Sequence, residues 1–135
     1  MKVVWTNGCF DILHRGHIEL FKYASSLGDY LVVGVDSDKK VKDDKGPERP
    51  FNNIEDRLVV LSAIRYINES VVFHSQKGLE LLIRQLKPSY LVVGSDWKGK
   101  NVVGAEFAKE VKFFDRLEGH STTRILDHKG NQNVK

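Results

Sequence analysis

Three short runs, at residues 2–6, 30–35 and 90–93, constrain this chain most, because each is apolar at nearly every position rather than at every second one. A strand of that kind has no polar face to offer water, so it must be covered on both sides, as in the centre of a parallel sheet. Between the runs lie segments with a helical rhythm. Residues 16–27 put Ile18, Leu20, Phe21 and Ala24 on one side, and Gly28 reads as the C-terminal cap. Residues 54–67 direct Leu58, Leu61, Ala63 and Ile64 inward, and residues 78–86 form a helix stopped before Pro88. Shorter strands at 70–73 and 111–114 bring the count to five, and Ser121 opens a last short helix.

Strands alternating with helices predict an α/β class: a parallel sheet with right-handed crossovers, layered between helices. The 135 residues suit one core, so residues 1–128 read as a single domain and residues 129–135 as a polar tail. Residues 39–53, rich in lysine, aspartate, glycine and proline, read as a mobile surface loop. In such sheets ligands bind beyond the carboxyl ends of the strands. The loops after Thr6, Val35 and Val93 therefore converge on the site. Trp5, Val3, Val4, Leu31, Val32, Val33 and Val92 read as core.

Composition narrows the partners. The net charge is only +3 and the basic residues are interspersed with acidic ones, so a nucleic-acid surface is not indicated. No stretch approaches the roughly 18 apolar residues of a membrane span, and the apolar segment after Met1 is too short for a signal-peptide core. Cys9 is the sole cysteine, which excludes an internal disulfide or a cysteine-built zinc site and suits a reducing compartment. The expectation is a soluble, cytoplasmic protein.

The segment Gly8-Cys9-Phe10-Asp11-Ile12-Leu13-His14-Arg15-Gly16-His17 joins the first strand to the first helix, where such a sheet presents its site. Gly8 and Gly16 let the backbone approach a phosphate closely, and the helix N-terminus supplies amide donors and the positive end of the dipole. His14 and His17 can both face one pocket and donate to phosphate oxygens as charge develops on them. Asp11 has two readings: it faces a magnesium ion that accompanies a triphosphate, or it accepts backbone amides and shapes the loop. A metal site built on the histidines is disfavoured, since His74, His120 and His128 are remote in sequence. Cys9 reads as a packing residue rather than a nucleophile. Asp38 either contacts substrate or, the favoured reading, caps the next helix, and Trp97 either belongs to the core or flanks a base.

The His-x-Gly-His tetrad within this segment resembles that of the cytidylyltransferase-like nucleotidyltransferases. Near the other end of the chain, Glu118-Gly119-His120-Ser121-Thr122-Thr123-Arg124 resembles their second motif. The resemblance implies a Rossmann-like three-layer fold with a five-stranded parallel sheet. It also implies transfer of a nucleoside monophosphate from a nucleoside triphosphate, taken with Mg2+, to a phosphorylated small molecule, with release of pyrophosphate. The implied catalytic residues are His14, His17, Lys45 and Arg116. Nucleotide contacts fall to Gly8, Cys9, Phe10, Gly16, Lys42, Arg57, Gly94, Asp96, Trp97, Ser121 and Thr122. Leu117 stands where the family has threonine. A homodimer is implied as well.

Two further segments point within the family. Gly46-Pro47-Glu48-Arg49-Pro50-Phe51-Asn52-Asn53, followed by Arg57, resembles the Lys-Gly-x-x-Arg-Pro-x-Asn stretch of the heptose 1-phosphate adenylyltransferases, and Asn101-Val102-Val103-Gly104-Ala105 leans the same way. The Asp96-Trp97 pair is closer to glycerol-3-phosphate cytidylyltransferase. The expected reaction is ATP plus heptose 1-phosphate giving ADP-heptose; the alternatives are CTP plus glycerol 3-phosphate giving CDP-glycerol, or a sensor that binds a nucleotide without turnover.

Overall fold

The computed structural model describes residues 1–115. Five strands, β1 (Val3–Gly8), β2 (Tyr30–Asp36), β3 (Glu69–Phe73), β4 (Tyr90–Gly94) and β5 (Glu110–Phe114), form one parallel sheet in the order β3-β2-β1-β4-β5. The α/β class and the five parallel strands are as expected. After β3 the chain returns across the sheet to the far side of β1, so the order reverses between β1 and β4. That reversal opens a crevice at the carboxyl end of β1.

The apolar runs are explained by two cores, one on each face. Val4, Leu31, Val33 and Val35 point toward Phe21 and Ala24 of α1 (Arg15–Ser26) and Leu61 of α3 (Ile54–Ser62). Trp5, Val32 and Leu91 point the other way, toward Leu79 and Ile83 of α4 (Gln76–Leu86). Neighbouring residues of β1 thus serve opposite layers, and the buried Thr6 is accommodated by donating its hydroxyl to the Val92 carbonyl at 2.9 Å. Trp5 lies across Gly34, where any Cβ would collide with the indole ring.

The segment read as a mobile loop contains α2 (Asp38–Lys45). Ser37 caps it by accepting from the Lys40 amide at 3.2 Å, the pairs Lys39–Asp43 (3.0 Å) and Lys40–Asp44 (2.6 Å) brace it, and Val41 is its one buried residue. An eight-residue helix anchored by a single apolar side chain has no stripe for periodicity to detect. Asp38 does not cap this helix; it is the first residue of it.

Other boundaries shift for local reasons. Asn53 caps α3, which ends at Ser62 rather than continuing to Ile67, and Ser75 starts α4 two residues earlier than expected. The last residue of α1 is followed by Leu27 in right-handed conformation, so Gly28 is not a left-handed cap. Gly28 is needed for close approach: a Cβ there would come within 2.7 Å of the Lys2 carbonyl oxygen. The helix expected from Ser121, together with Arg116, Ser121, Thr122 and the tail at 129–135, lies outside the described residues.

Candidate active site

The residues between β1 and α1 hold an unusual course. Phe10 has φ of 47°, in the left-handed region that costs a non-glycine residue roughly 1–3 kcal/mol. Its ring is buried against Phe21 (centroids 5.1 Å) and meets the edge of His17 (5.7 Å). Gly8 makes room for it, since a Cβ at that position would lie 3.0 Å from the ring. The strained turn thus carries the chain to the start of α1 with its side chain spent on packing.

His14 is the N-cap of α1. Its Nδ1 accepts from the Gly16 amide at 3.0 Å, while the His14 amide donates to Nδ1 of His17 at 3.2 Å. This reciprocal capping box has a chemical consequence. With Nδ1 accepting in both rings, the neutral imidazoles carry their proton on Nε2. The two rings lie 4.0 Å apart between centroids, and both line a cleft of about 550 Å³ at the carboxyl ends of the strands. Two oriented N–H donors beside a helix N-terminus can stabilise charge growing on a phosphate.

Gly8, Cys9, Phe10, Gly16, Lys45, Gly94 and Trp97 line the same cleft. Burial pushes the Cys9 thiol up, with Lys45 and Arg57 opposing, which disfavours its thiolate form. Lys42 does not line the cleft. On a helix it sits about 200° around from Lys40, and it is Lys40, Asp44 and Lys45 that face inward. Asp96 is exposed and also lies outside the lining.

Arg57 is the largest departure from expectation. Its side chain is fully buried, and four of its five N–H donors are committed: Nε to the Asn52 carbonyl (3.0 Å), Nη1 to the Cys9 (2.8 Å) and Asp36 (2.7 Å) carbonyls, and Nη2 to the Asp38 carboxylate (2.6 Å). It holds three loops together beneath the cleft instead of reaching phosphates. Asp11 likewise resolves in favour of loop shaping. Its side chain is 1% exposed, and its two oxygens accept from the Phe51 amide (2.6 Å) and the Asn52 amide (2.7 Å). A carboxylate so engaged is a poor magnesium ligand, and no group of three or more acidic, histidine or cysteine side chains among the described residues could hold a metal ion.

A family model described as cytidylyltransferase-like matches residues 5–127. This chain belongs to that family. As a member it is a nucleotidyltransferase. It is 50% identical over 125 residues, 93% of its length, to the Bifunctional protein HldE of Campylobacter concisus, and 44% identical over 126 residues to that of Helicobacter pylori strain G27. The chain spans about a quarter of these relatives, 26% and 27% of their lengths. Among solved structures it is similar to a lipopolysaccharide core biosynthesis protein from Thermoplasma volcanium (TM-score 0.70, 27% identity, covering 87% of this chain and 99% of that one). Pantothenate synthetase from Thermus thermophilus shares the fold (TM-score 0.57, 13% identity, 87% and 56% covered).

The family's second motif lies beyond residue 115, so the described half of the site belongs to the first. Sequence reasoning missed Thr6, Asn7, Asp36, Lys40, Arg49 and Gln76, all of which line the cleft. Lys40 and Asp44 carried a signal in their helical spacing. Arg49 carried one in the Lys-Gly-x-x-Arg-Pro stretch; its Nε is buried 3.6 Å from the Asp11 carboxylate. No helix among the described residues is long and apolar enough to cross a membrane.

Proposed function

We propose that this chain transfers the adenylyl group of ATP to a heptose 1-phosphate, giving ADP-heptose and pyrophosphate. The observation that carries this reading is the pair His14–His17, whose Nε2–H groups are set by the capping box at the mouth of the helix dipole. A phosphate oxygen of the acceptor attacks the α-phosphorus of ATP. As that bond forms, the bond from the α-phosphorus to the oxygen bridging it to the β-phosphate breaks, and pyrophosphate leaves with the electron pair. The two imidazoles stabilise the charge that builds on the α-phosphate oxygens, and no covalent enzyme intermediate is required.

Lys45 and Arg49, on one wall of the cleft, bring positive charge to the polyphosphate. Arg116, Ser121 and Thr122 are assigned to it by the family's second motif alone. Magnesium enters as part of the triphosphate substrate. The stretch Lys45-Gly46-Pro47-Glu48-Arg49-Pro50 and the extended likeness to HldE proteins support adenine and heptose. The cytidylyl alternative rested on Asp96-Trp97, of which only Trp97 reaches the cleft. Both substrates suit a cytoplasmic reaction. We carry the homodimer forward on the exposed Val59 and Val60 of α3, to be checked by sedimentation.

The test is a matrix of ATP, CTP, GTP and UTP against heptose 1-phosphate, glycerol 3-phosphate and other phosphorylated acceptors, read as pyrophosphate. ATP with heptose 1-phosphate is the expected optimum. A preference for CTP with glycerol 3-phosphate would overturn the assignment of substrates, and triphosphate binding without turnover on any acceptor would overturn the reaction.

A further inference from the structure

The cleft carries a charge that phosphate binding does not explain. Its centre, at the first turn of α1, suits anions, and Lys45 and Arg49 reinforce this. Asp36 nevertheless lines the same cleft. Its carboxylate repels a triphosphate and a sugar phosphate alike. Burial adds to the cost by holding the carboxyl above its ordinary range; Asp44 pushes the same way, and Lys40, Lys45 and Arg57 push against it.

The fold does not consume this carboxylate. Asp11 shows what consumption looks like, with both oxygens occupied by amides. Among the described residues no hydrogen bond runs to the Asp36 carboxylate: Lys40 turns to Asp44 at 2.6 Å, and Arg57 takes only the Asp36 backbone carbonyl, at 2.7 Å. A half-buried charge that neither holds the fold nor attracts the phosphates suits neutral hydroxyl groups. A carboxylate accepts two of them at once, through bonds stronger than those of a neutral acceptor.

Position agrees. Asp36 ends β2, on the side of the phosphate centre away from β4, with Phe73 and Gln76 near it in the same wall. Trp97 stands at the β4 side, where a flat base finds an aromatic neighbour. We infer that Asp36 reads hydroxyl groups of the acceptor sugar and thereby sets the preference for a polyhydroxylated phosphate over a small one. Gln76, the first residue of α4, adds to the same cleft an amide that both donates and accepts. The inference rests on the reading of the chain as a sugar-phosphate nucleotidyltransferase.

The experiment compares the full chain with its Asp36→Asn variant, a change of charge at nearly constant shape, using ATP, heptose 1-phosphate and the monodeoxy analogues of that heptose, with pyrophosphate as the readout. The KM for heptose 1-phosphate rises roughly tenfold to a hundredfold in the variant, the scale of a charged hydrogen bond, while the KM for ATP stays near that of the wild type. At least one deoxy analogue that the wild type handles poorly loses its disadvantage in the variant. An unchanged acceptor KM, a deoxy penalty equal in both proteins, or a KM for ATP that rises as much as that for the acceptor overturns the inference while leaving the reaction intact. A wild type that releases no pyrophosphate with any sugar 1-phosphate overturns the functional reading, and this proposal with it.

Discussion

The histidine at the start of α1 has two tasks that one substitution can separate. In the structure His14 caps the helix through Nδ1 and lines the cleft, and the proposed function gives its Nε2 a role in the chemistry. His14→Ala removes both. Loss of an N-cap costs about 1 kcal/mol, which in a domain of this size lowers Tm by roughly 4 °C. Loss of a transition-state donor costs about 2.7–4 kcal/mol, or 10²–10³ in kcat. His14→Asn restores the cap, because asparagine is among the best N-cap residues, but it has no imidazole to reach the α-phosphate. The alanine variant should therefore be both less stable and nearly inactive, and the asparagine variant nearly as stable as wild type yet equally inactive. Calorimetry and pyrophosphate release from ATP and heptose 1-phosphate measure the two effects independently. Near-wild-type kcat in His14→Asn would remove this imidazole from the chemistry, and an unchanged Tm in His14→Ala would deny the cap its energetic role.

Arg57→Met leaves three buried carbonyls and the Asp38 carboxylate without their donor, so it should lower stability by about 3–5 kcal/mol in urea titration; a loss under about 1 kcal/mol would mean that the loops hold without it. Asp11→Asn keeps one acceptor oxygen for two amides, so Tm should fall while the magnesium concentration for half-maximal activity stays put; a shift in the latter would revive the metal reading. Lys45→Ala should raise the KM for charged substrates and Lys42→Ala should not, and equal effects would contradict the inward face assigned to α2. The Asp36 carboxyl binds its proton more tightly folded than unfolded, so its charge opposes folding above the raised value and ceases to do so at lower pH. Asp36→Asn should accordingly raise Tm at pH 7, with the gain shrinking as the pH is lowered; a gain that grows instead would reverse the sign argued here.

What the chain disclosed in advance follows from how each element is stabilised. β1, β2 and β4 are covered on both faces, so burial wrote itself into consecutive apolar residues, and α1 and α4 bury regular stripes. α2 depends on a cap, two lysine–aspartate pairs and one valine, interactions that leave no apolar stripe. The site divides in the same way. Glycines and histidines of the β1–α1 loop act close to where they stand in sequence, so a motif captures them. Arg57 and Asp11 act on backbone groups far along the chain, which composition does not reveal, so Arg57 was given to the ligand and Asp11 was left between magnesium and loop shaping when both belong to the scaffold. Asp36 was hidden for the opposite reason: it ends an apolar strand as an ordinary polar terminus would.

The guanidinium of Arg57 is delivered by α3, yet two of its bonds end on carbonyls of Cys9 and Asp36, 48 and 21 residues earlier. The loops around the histidine segment consequently share a fate with a helix that supplies no lining residue to the cleft. If that helix detaches, Asn52 and Asp38 lose the same partner at the same moment, and the Asp11 contacts to Phe51 and Asn52 lose their footing. In hydrogen exchange, the amides of Phe51, Asn52 and Arg57 should open together as one cooperative unit, rather than in the graded order of independent surface loops.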